Sequence, residues 1–284
     1  MPEDAEWATR GLDYEPPEID TSRAHPARVY DYLLGGKDNY PPDREAAEQL
    51  IEISPLVPMS IRKNREFLHR LTRYLAAEEG IDQFLDIGTG IPTSPNVHEI
   101  AQQANPAAKV VYVDNDPIVH AHARARLISS PQGRVVYVHA DMRDTEAILG
   151  APDLKDTLDF SRPVALLIIS TLHLIPDAGH ARELLREYVA HLAPGSILAL
   201  SVVSGDVNVP TVADRDKAVS VLSARGIDVL PWAHEDVLAL FDGLELLEPG
   251  VVRVGHWRPD AQADLEGRGG SHYAGVARKR AAAN

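Results

Sequence analysis

The feature that most constrains this chain is the stretch Gln83-Phe84-Leu85-Asp86-Ile87-Gly88-Thr89-Gly90-Ile91-Pro92-Thr93-Ser94. It reads as a short apolar strand that stops in a glycine turn and hands over to a helix beginning near Pro95. Two glycines one residue apart let the backbone turn tightly and let a ligand come against bare main chain. Asp86 stands two residues before the first glycine, at the carboxyl end of the strand, and open α/β sheets bind ligands in the crevice at such ends. A purely structural strand–helix turn is the alternative reading of the same residues.

Two nucleotide ligands compete for this turn. A dinucleotide fingerprint requires G-x-G-x-x-G, and the third glycine position here is Thr93. A pyrophosphate is also poorly served by a carboxylate just ahead of the turn. A cationic ligand is well served, and S-adenosylmethionine carries both a sulfonium and an α-amino group. The order D-x-G-x-G resembles motif I of the class I S-adenosylmethionine-dependent methyltransferases.

The rest of the chain supplies a sheet around that turn. Strands are expected at Val110–Asp114, Val135–Asp141, Val164–Ser170 and Ile197–Val203, with helices between them. Two closing strands, Leu244–Val254 and His272–Arg278, are expected to pair antiparallel at one edge. The Val164–Ser170 run is continuously apolar, as a central parallel strand covered on both faces should be. Together these predict an α/β fold with a doubly wound, seven-stranded, mostly parallel, Rossmann-like sheet. Ahead of it, helices following Pro26, Pro42 and Ser60 predict an N-terminal helical cap or lid over residues 19–80, and residues 81–284 form the main domain. Residues 1–18 are polar and Pro-rich and read as a flexible arm.

Two more strands end in acids. Asp114 comes 24 residues after Gly90, where nucleotide-binding sheets grip a ribose diol with one carboxylate. That position suits NAD as well as S-adenosylmethionine. Asn115 follows it, and Asp116 before Pro117 reads as the cap of the next helix. The third strand ends in Asp141-Met142. By resemblance to class I methyltransferases, Asp141 would accept from the adenine amine and the Met142 N–H would meet a ring nitrogen. Each of the three acids has a helix cap as its bland alternative.

The chain is also similar to a family of actinobacterial S-adenosylmethionine methyltransferases long catalogued as a domain of unknown function. The matching residues are Asp20-Thr21-Ser22-Arg23, Pro26 through Tyr40, Leu85 through Thr93, Tyr112-Val113-Asp114-Asn115-Asp116-Pro117 and Glu248-Pro249-Gly250. The resemblance spans roughly Ile19 to Lys279 and implies the fold and the cofactor, S-adenosyl-L-methionine, with S-adenosyl-L-homocysteine as product. It supplies no acceptor.

Within that frame, Asp86, Gly88, Thr89 and Gly90 are expected to hold the methionine end. The turn Gly35-Gly36-Lys37-Asp38-Asn39-Tyr40 is expected to act as a lid, with Gly35 as flexible backbone, Lys37 for the methionine carboxylate and Asn39 as an amide donor. A helix C-cap is the alternative reading. Arg28, Tyr30 and Tyr32 are expected to line the same cavity. Ser170, at the end of the fourth strand, lies where donor and acceptor meet in such folds. His173 is the candidate general base, since an imidazole near neutral pKa takes a proton from a phenol or alcohol. The Leu172-His173-Leu174-Ile175-Pro176 run also allows a structural histidine. The (D/N)-P-P-(Y/F) clamp of amide and exocyclic nitrogen methyltransferases is absent from the sequence. Trp232 and the Val207–Thr211 loop are weaker candidates for acceptor binding.

Composition narrows the partners. The 284 residues carry a net charge of −14, and because residues 251–284 hold six Lys/Arg against three Asp/Glu, the remainder carries −17. Such an acidic body repels polyphosphates, so neither nucleic acid nor an anionic membrane is an expected partner. No apolar run reaches the roughly 20 residues of a membrane span, and the opening segment is no signal peptide, so a cytoplasmic location is expected. There is no cysteine, and no pair among the 12 histidines has zinc spacing, so no metal is expected. The expected function is methyl transfer to a small-molecule acceptor, such as a hydroxyl of a secondary metabolite. The rivals are a non-catalytic S-adenosylmethionine-binding partner or regulatory module and an NAD-dependent oxidoreductase. A homodimer is compatible with the sequence.

Overall fold

The computed structural model describes residues 19–126, 128–206, 212–260 and 270–281. The arm expected over residues 1–18 and the Val207–Thr211 loop lie outside the described residues.

Three helices precede the sheet: α1 (Pro26–Leu34), α2 (Pro41–Ile53) and α3 (Val57–Ala77). Each opens with a proline in its first turn, where the missing N–H costs nothing. Gly35 ends α1 in the left-handed region at φ 86°, and its N–H returns to the Asp31 and Tyr32 carbonyls. Asp43 closes the start of α2, accepting from the backbone N–H groups of Tyr40 and His25, both at 2.8 Å. Val29, Leu33, Ala46, Ala47, Leu50 and Ile61 bury one another between these helices.

The alternating part follows as β1 (Gln83–Ile87), α4 (Val97–Ala104), β2 (Lys109–Asp114), α5 (Pro117–Arg126), β3 (Arg134–His139), α6 (Thr145–Gly150), α7 (Pro152–Lys155), β4 (Ala165–Ile169), α8 (Ala178–Ala190) and β5 (Ile197–Val203). Helices α9 (Val212–Ser223) and α10 (His234–Ala239) come next. The short strands β6 (Glu245–Leu246) and β7 (Val252–Arg253) and the edge-closing β8 (His272–Arg278) complete the sheet. The spatial order is β3-β2-β1-β4-β5-β8-β6, with β7 also on β8. Pairings from β3 through β5 are parallel, and β8 runs antiparallel to β5, β6 and β7.

The count is eight strands rather than the seven expected. The single closing strand predicted over Leu244–Val254 is split, because Pro249 and Gly250, the latter at φ 86°, turn the chain between two short pieces that both pair with β8. Alternate residues of the central strands serve two cores. Leu85, Ile87, Val111, Leu166 and Ile168 face one helix layer, while Phe84, Val110, Tyr112, Ala165 and Leu167 face the other. This two-sided burial is why the strands read as unbroken apolar runs.

Strand order reverses between β1 and β4, which opens a crevice beyond their carboxyl ends. The N-terminal helices roof it. No described helix is long and apolar enough to cross a membrane.

Candidate functional site

The turn after β1 is shaped by crowding. Gly88 has φ +73°, and its N–H and that of Thr89 both donate to the Val113 carbonyl, at 2.7 and 3.1 Å. A Cβ on Gly88 would come within 2.3 Å of Thr171 Cγ2, so the β1 and β4 ends approach this closely only with glycine there. Gly90 (φ +68°) faces open space, and its N–H donates to Asp114 Oδ2 at 2.7 Å. The end of β2 thereby clamps the loop after β1.

Beyond these ends lies a cavity of about 410 Å³. Its walls include Asp86, Gly88, Thr89, Gly90, Asp114, Asn115, Asp141, Met142 and Ser170. These are the strand-end residues singled out in the sequence, from four strands that are neighbours in space and far apart in the chain. Tyr30, Asn64, Arg65 and Ile227 complete the roof and far wall.

The carboxylates differ in environment. Asp86 is 4% exposed; burial pushes its pKa up to about 7, against the pull of the Thr89 hydroxyl at 3.0 Å and of the Arg65 charge. Asp114 is also raised by burial, while its two oxygens accept the N–H groups of Gly90 and Asp116. Asp141 goes the other way. Arg143 holds it through Nε at 2.8 Å and through Nη2, Asn115 Nδ2 adds a bond at 3.2 Å, and the pKa falls to about 2. Asp141 lies two residues beyond the end of β3, in the turn that follows.

The predicted lid residues lie elsewhere. Tyr32, Gly35, Lys37 and Asn39 do not line the cavity. Tyr32 donates its hydroxyl to Glu48 at 3.0 Å, and Lys37 is exposed. Asn39 is buried, donating to Asp31 Oδ2 at 2.8 Å and accepting from Arg44 Nε at 2.7 Å. The loop is folded around Asp31, which also accepts from the Asp38 N–H at 3.0 Å. The Asn39 side chain is spent on the loop's own geometry. Of the three residues expected to join it, Tyr30 reaches the cavity, Tyr32 does not, and Arg28 is buried against Asp116.

His173 is likewise outside this cavity. It is 5% exposed, its Nδ1 accepts the Val203 N–H at 3.4 Å, and burial pushes its pKa down to about 3. It stands in the wall of a neighbouring apolar cavity of about 190 Å³. Trp232 belongs to the core, fully covered, with its backbone N–H on the Val203 carbonyl. Its large apolar ring is consumed by packing.

Arg65 was not singled out in the sequence. It projects from α3 beside the glycine turn, where Nη2 donates to the carbonyls of Thr93 and Pro95, the second at 3.0 Å. Its buried Nε has no hydrogen-bond partner among the described residues. The sequence carried no signal for it, since an arginine in a helix with ordinary periodicity reads as surface.

The fold agrees with that of related chains. A Streptomyces avermitilis protein described as of the DUF574 family is 45% identical to this chain, with 92% of this chain and all of that one covered and a TM-score of 0.88. A Thermobifida fusca protein is 40% identical, with 95% and 100% covered and a TM-score of 0.84. The plantazolicin methyltransferase BpumL, whose structure contains S-adenosylhomocysteine, shares the fold at 13% identity, with 89% and 95% covered and a TM-score of 0.51. No curated protein matches the sequence. The family model described as S-adenosyl methyltransferase matches residues 13–280, nearly the whole chain, and the chain therefore belongs to the S-adenosyl methyltransferase family.

Proposed function

We propose that this S-adenosylmethionine-dependent methyltransferase acts on a small-molecule acceptor, a hydroxyl compound of secondary metabolism, and binds its cofactor in the 410 Å³ cavity. The observation that carries the placement is the convergence of Asp86, the Gly88–Gly90 turn, Asp114 and Asp141–Met142 on one crevice at the sheet's switch point.

The residues suit the cofactor's chemistry. A carboxylate offers about four lone-pair sites, and the backbone takes two of those of Asp114, which leaves two for a ribose diol. Asp86 is buried without a cationic partner in bonding distance among the described residues, and an α-ammonium group would meet it directly. The orphaned Arg65 Nε supplies the complement for the adjoining carboxylate. Asp141 and Met142 sit where the adenine edge would be read, with Asp141 held in orientation by Arg143 and Asn115.

When bound, the cofactor supplies an electrophilic methyl group on a sulfonium. The protein's part is to bind, orient and exclude water, which converts a bimolecular displacement into a nearly intramolecular one. The acidic surface, with a net charge of −14, favours a small acceptor over a nucleic acid.

Calorimetric titration with S-adenosylmethionine, S-adenosylhomocysteine and NAD, on wild type and Asp114→Ala, tests the cofactor site. Selective binding of the first two, weakened in the variant, is the expected result. Equal affinity of the variant would remove Asp114 from the site. Methyl transfer above background to any small hydroxyl compound would set aside the non-catalytic reading.

A further inference from the structure

The 190 Å³ cavity adjoins the first and shares Pro26, Tyr30, Ser170, Leu174 and Ile227 with it. Its body is apolar, built from Val29 and Leu33 of α1, Leu50 of α2, Ile61 of α3 and Leu222 of α9. The charged group among its described lining is Arg215, whose guanidinium is turned to the Gly205 carbonyl at 2.8 Å and to Asp216 at 2.8 and 3.0 Å. No carboxylate belongs to that described lining. A charged guest would lose hydration without compensation there, so the guest is neutral.

The wall between the cavities is polar and unusually constrained. Ser170 holds φ +59°, a conformation a β-carbon disfavours. Its N–H is caught by the Ser201 carbonyl at 2.9 Å and by Ser201 Oγ at 3.0 Å. Ser201 Oγ in turn donates to Asn64 Oδ1 at 2.6 Å, and Asn64 Nδ2 reaches the Tyr30 hydroxyl at 3.0 Å. Strain held in place by such a network is characteristic of functional positions. Behind Ser170, His272 Nε2 lies 3.0 Å from its Oγ. His272 is 2% exposed and its Nδ1 has no partner among the described residues. Burial keeps the ring neutral, with its pKa pushed down to about 4.

We propose that this second cavity is the acceptor site, that it takes a neutral, largely apolar phenol, and that Ser170 Oγ receives the phenolic proton as it passes its own to His272 Nε2. This rests on the cofactor placement above. A cavity of about 150 Å³ accommodates a benzene ring, so one of about 190 Å³ holds an aromatic body. The hydroxyl faces Ser170, the point common to both cavities. Its oxygen forms the new bond to the methyl carbon while the carbon–sulfur bond breaks and leaves its pair on sulfur. As that bond forms, the proton passes by Ser170 to the imidazole, and it goes on to solvent after product leaves. An oxygen that has gained a methyl group is strongly acidic, so a weak base suffices.

The test uses 2-naphthol as probe, 2-naphthoate as the charged control, and the full chain saturated with S-adenosylhomocysteine. Ala218 and Leu222 line the second cavity and not the first. Ala218→Phe and Leu222→Trp are each expected to weaken 2-naphthol binding at least tenfold and leave S-adenosylhomocysteine affinity within twofold. The naphthoate is expected not to bind. With S-adenosylmethionine, wild type should yield 2-methoxynaphthalene. Measured at saturating concentrations of both ligands, Ser170→Ala and His272→Gln should slow its single-turnover formation by about a hundredfold, the scale of one lost proton-transfer group. Absent naphthol binding beside intact S-adenosylhomocysteine binding, equal binding in both filled variants, or undiminished turnover in Ser170→Ala would each overturn the proposal. Failure of wild type to bind S-adenosylhomocysteine is a separate readout and would sink the cofactor placement, and this proposal with it.

Discussion

Arg28 of α1 and Asp116 at the start of α5 grip each other through two parallel hydrogen bonds, Nε to Oδ2 at 2.9 Å and Nη2 to Oδ1 at 3.0 Å. Both are buried, with side-chain exposures of 4% and 0%. His25 Nδ1 stands 3.2 Å from the same carboxylate. The pair joins the N-terminal helices to the sheet next to Asp114, so the roof of the proposed cofactor cavity is bolted to its floor. Removing one partner of such a pair strands a buried charge. Arg28→Met is expected to cost about 3–5 kcal/mol in chemical denaturation, and Arg28→Met with Asp116→Asn to recover part of it. A single variant within 1 kcal/mol of wild type would show the pair to be structurally idle.

The two cations proposed for the methionine carboxylate make opposite predictions. Arg65→Met should lower S-adenosylhomocysteine affinity by about tenfold, the worth of one charge-assisted bond. Lys37→Ala should leave it unchanged, because Lys37 is exposed and is not among the cavity-lining residues. Calorimetry on the two variants decides, and the reverse order would return the role to the Gly35–Tyr40 turn.

Asp114→Ala should reduce affinity for S-adenosylmethionine by about tenfold to a hundredfold, through lost bonds to the ribose and a freed Gly90 N–H. Asp114→Asn retains one carbonyl oxygen and should fall in between. Equal affinities across the three proteins would detach the ribose from β2.

The proposed contact of Asp86 with the cofactor implies that binding depends on pH. Without ligand its carboxyl is protonated below about 7, because burial raises its pKa. A cationic ligand favours the carboxylate, so binding expels a proton. Affinity should therefore rise with pH up to about 7, by at most about tenfold per unit, and level off above. The same shift makes the ligand-free protein lose stability as pH climbs from 3.8 through 7. Asp86→Asn should flatten both profiles. A wild-type affinity indifferent to pH across that window would contradict the assignment.

Gly88→Ala should destabilise the protein by about 1–3 kcal/mol from the positive φ alone, with the approach to Thr171 adding to it. A thermal melt checks this. An unaltered transition would mean that the β1 and β4 ends separate more easily than their packing implies.

Much of the architecture was legible in the chain because it follows from local chemistry. The glycine turn after β1, the apolar run of β4 and the acids at Asp86, Asp114 and Asp141 each announce themselves within a few residues. Parallel topology then brings the strand ends together, so positions called one at a time meet in one cavity. The turn around Lys37 and Asn39 misled because its residue types suit ligand contact and self-capping equally well. Asp31, Arg44 and Gly36 claim Asn39 for the second, and that choice depends on where α1 ends against α2.

By itself, then, the sequence determined the parallel strands, the antiparallel closing edge and the acids at the strand ends, since periodicity, turn chemistry and helix caps act over short distances. Tertiary structure decided what lies opposite them. Arg65 becomes a cavity residue only when α3 packs over the β1 turn, and His272 reaches Ser170 only because β8 runs antiparallel beside β5. The same packing buried Trp232 in the core and placed His173, the expected base, in the wall of the second cavity rather than the first. Burial and long-range pairing assign those roles, and neither is a property of any stretch of chain taken alone.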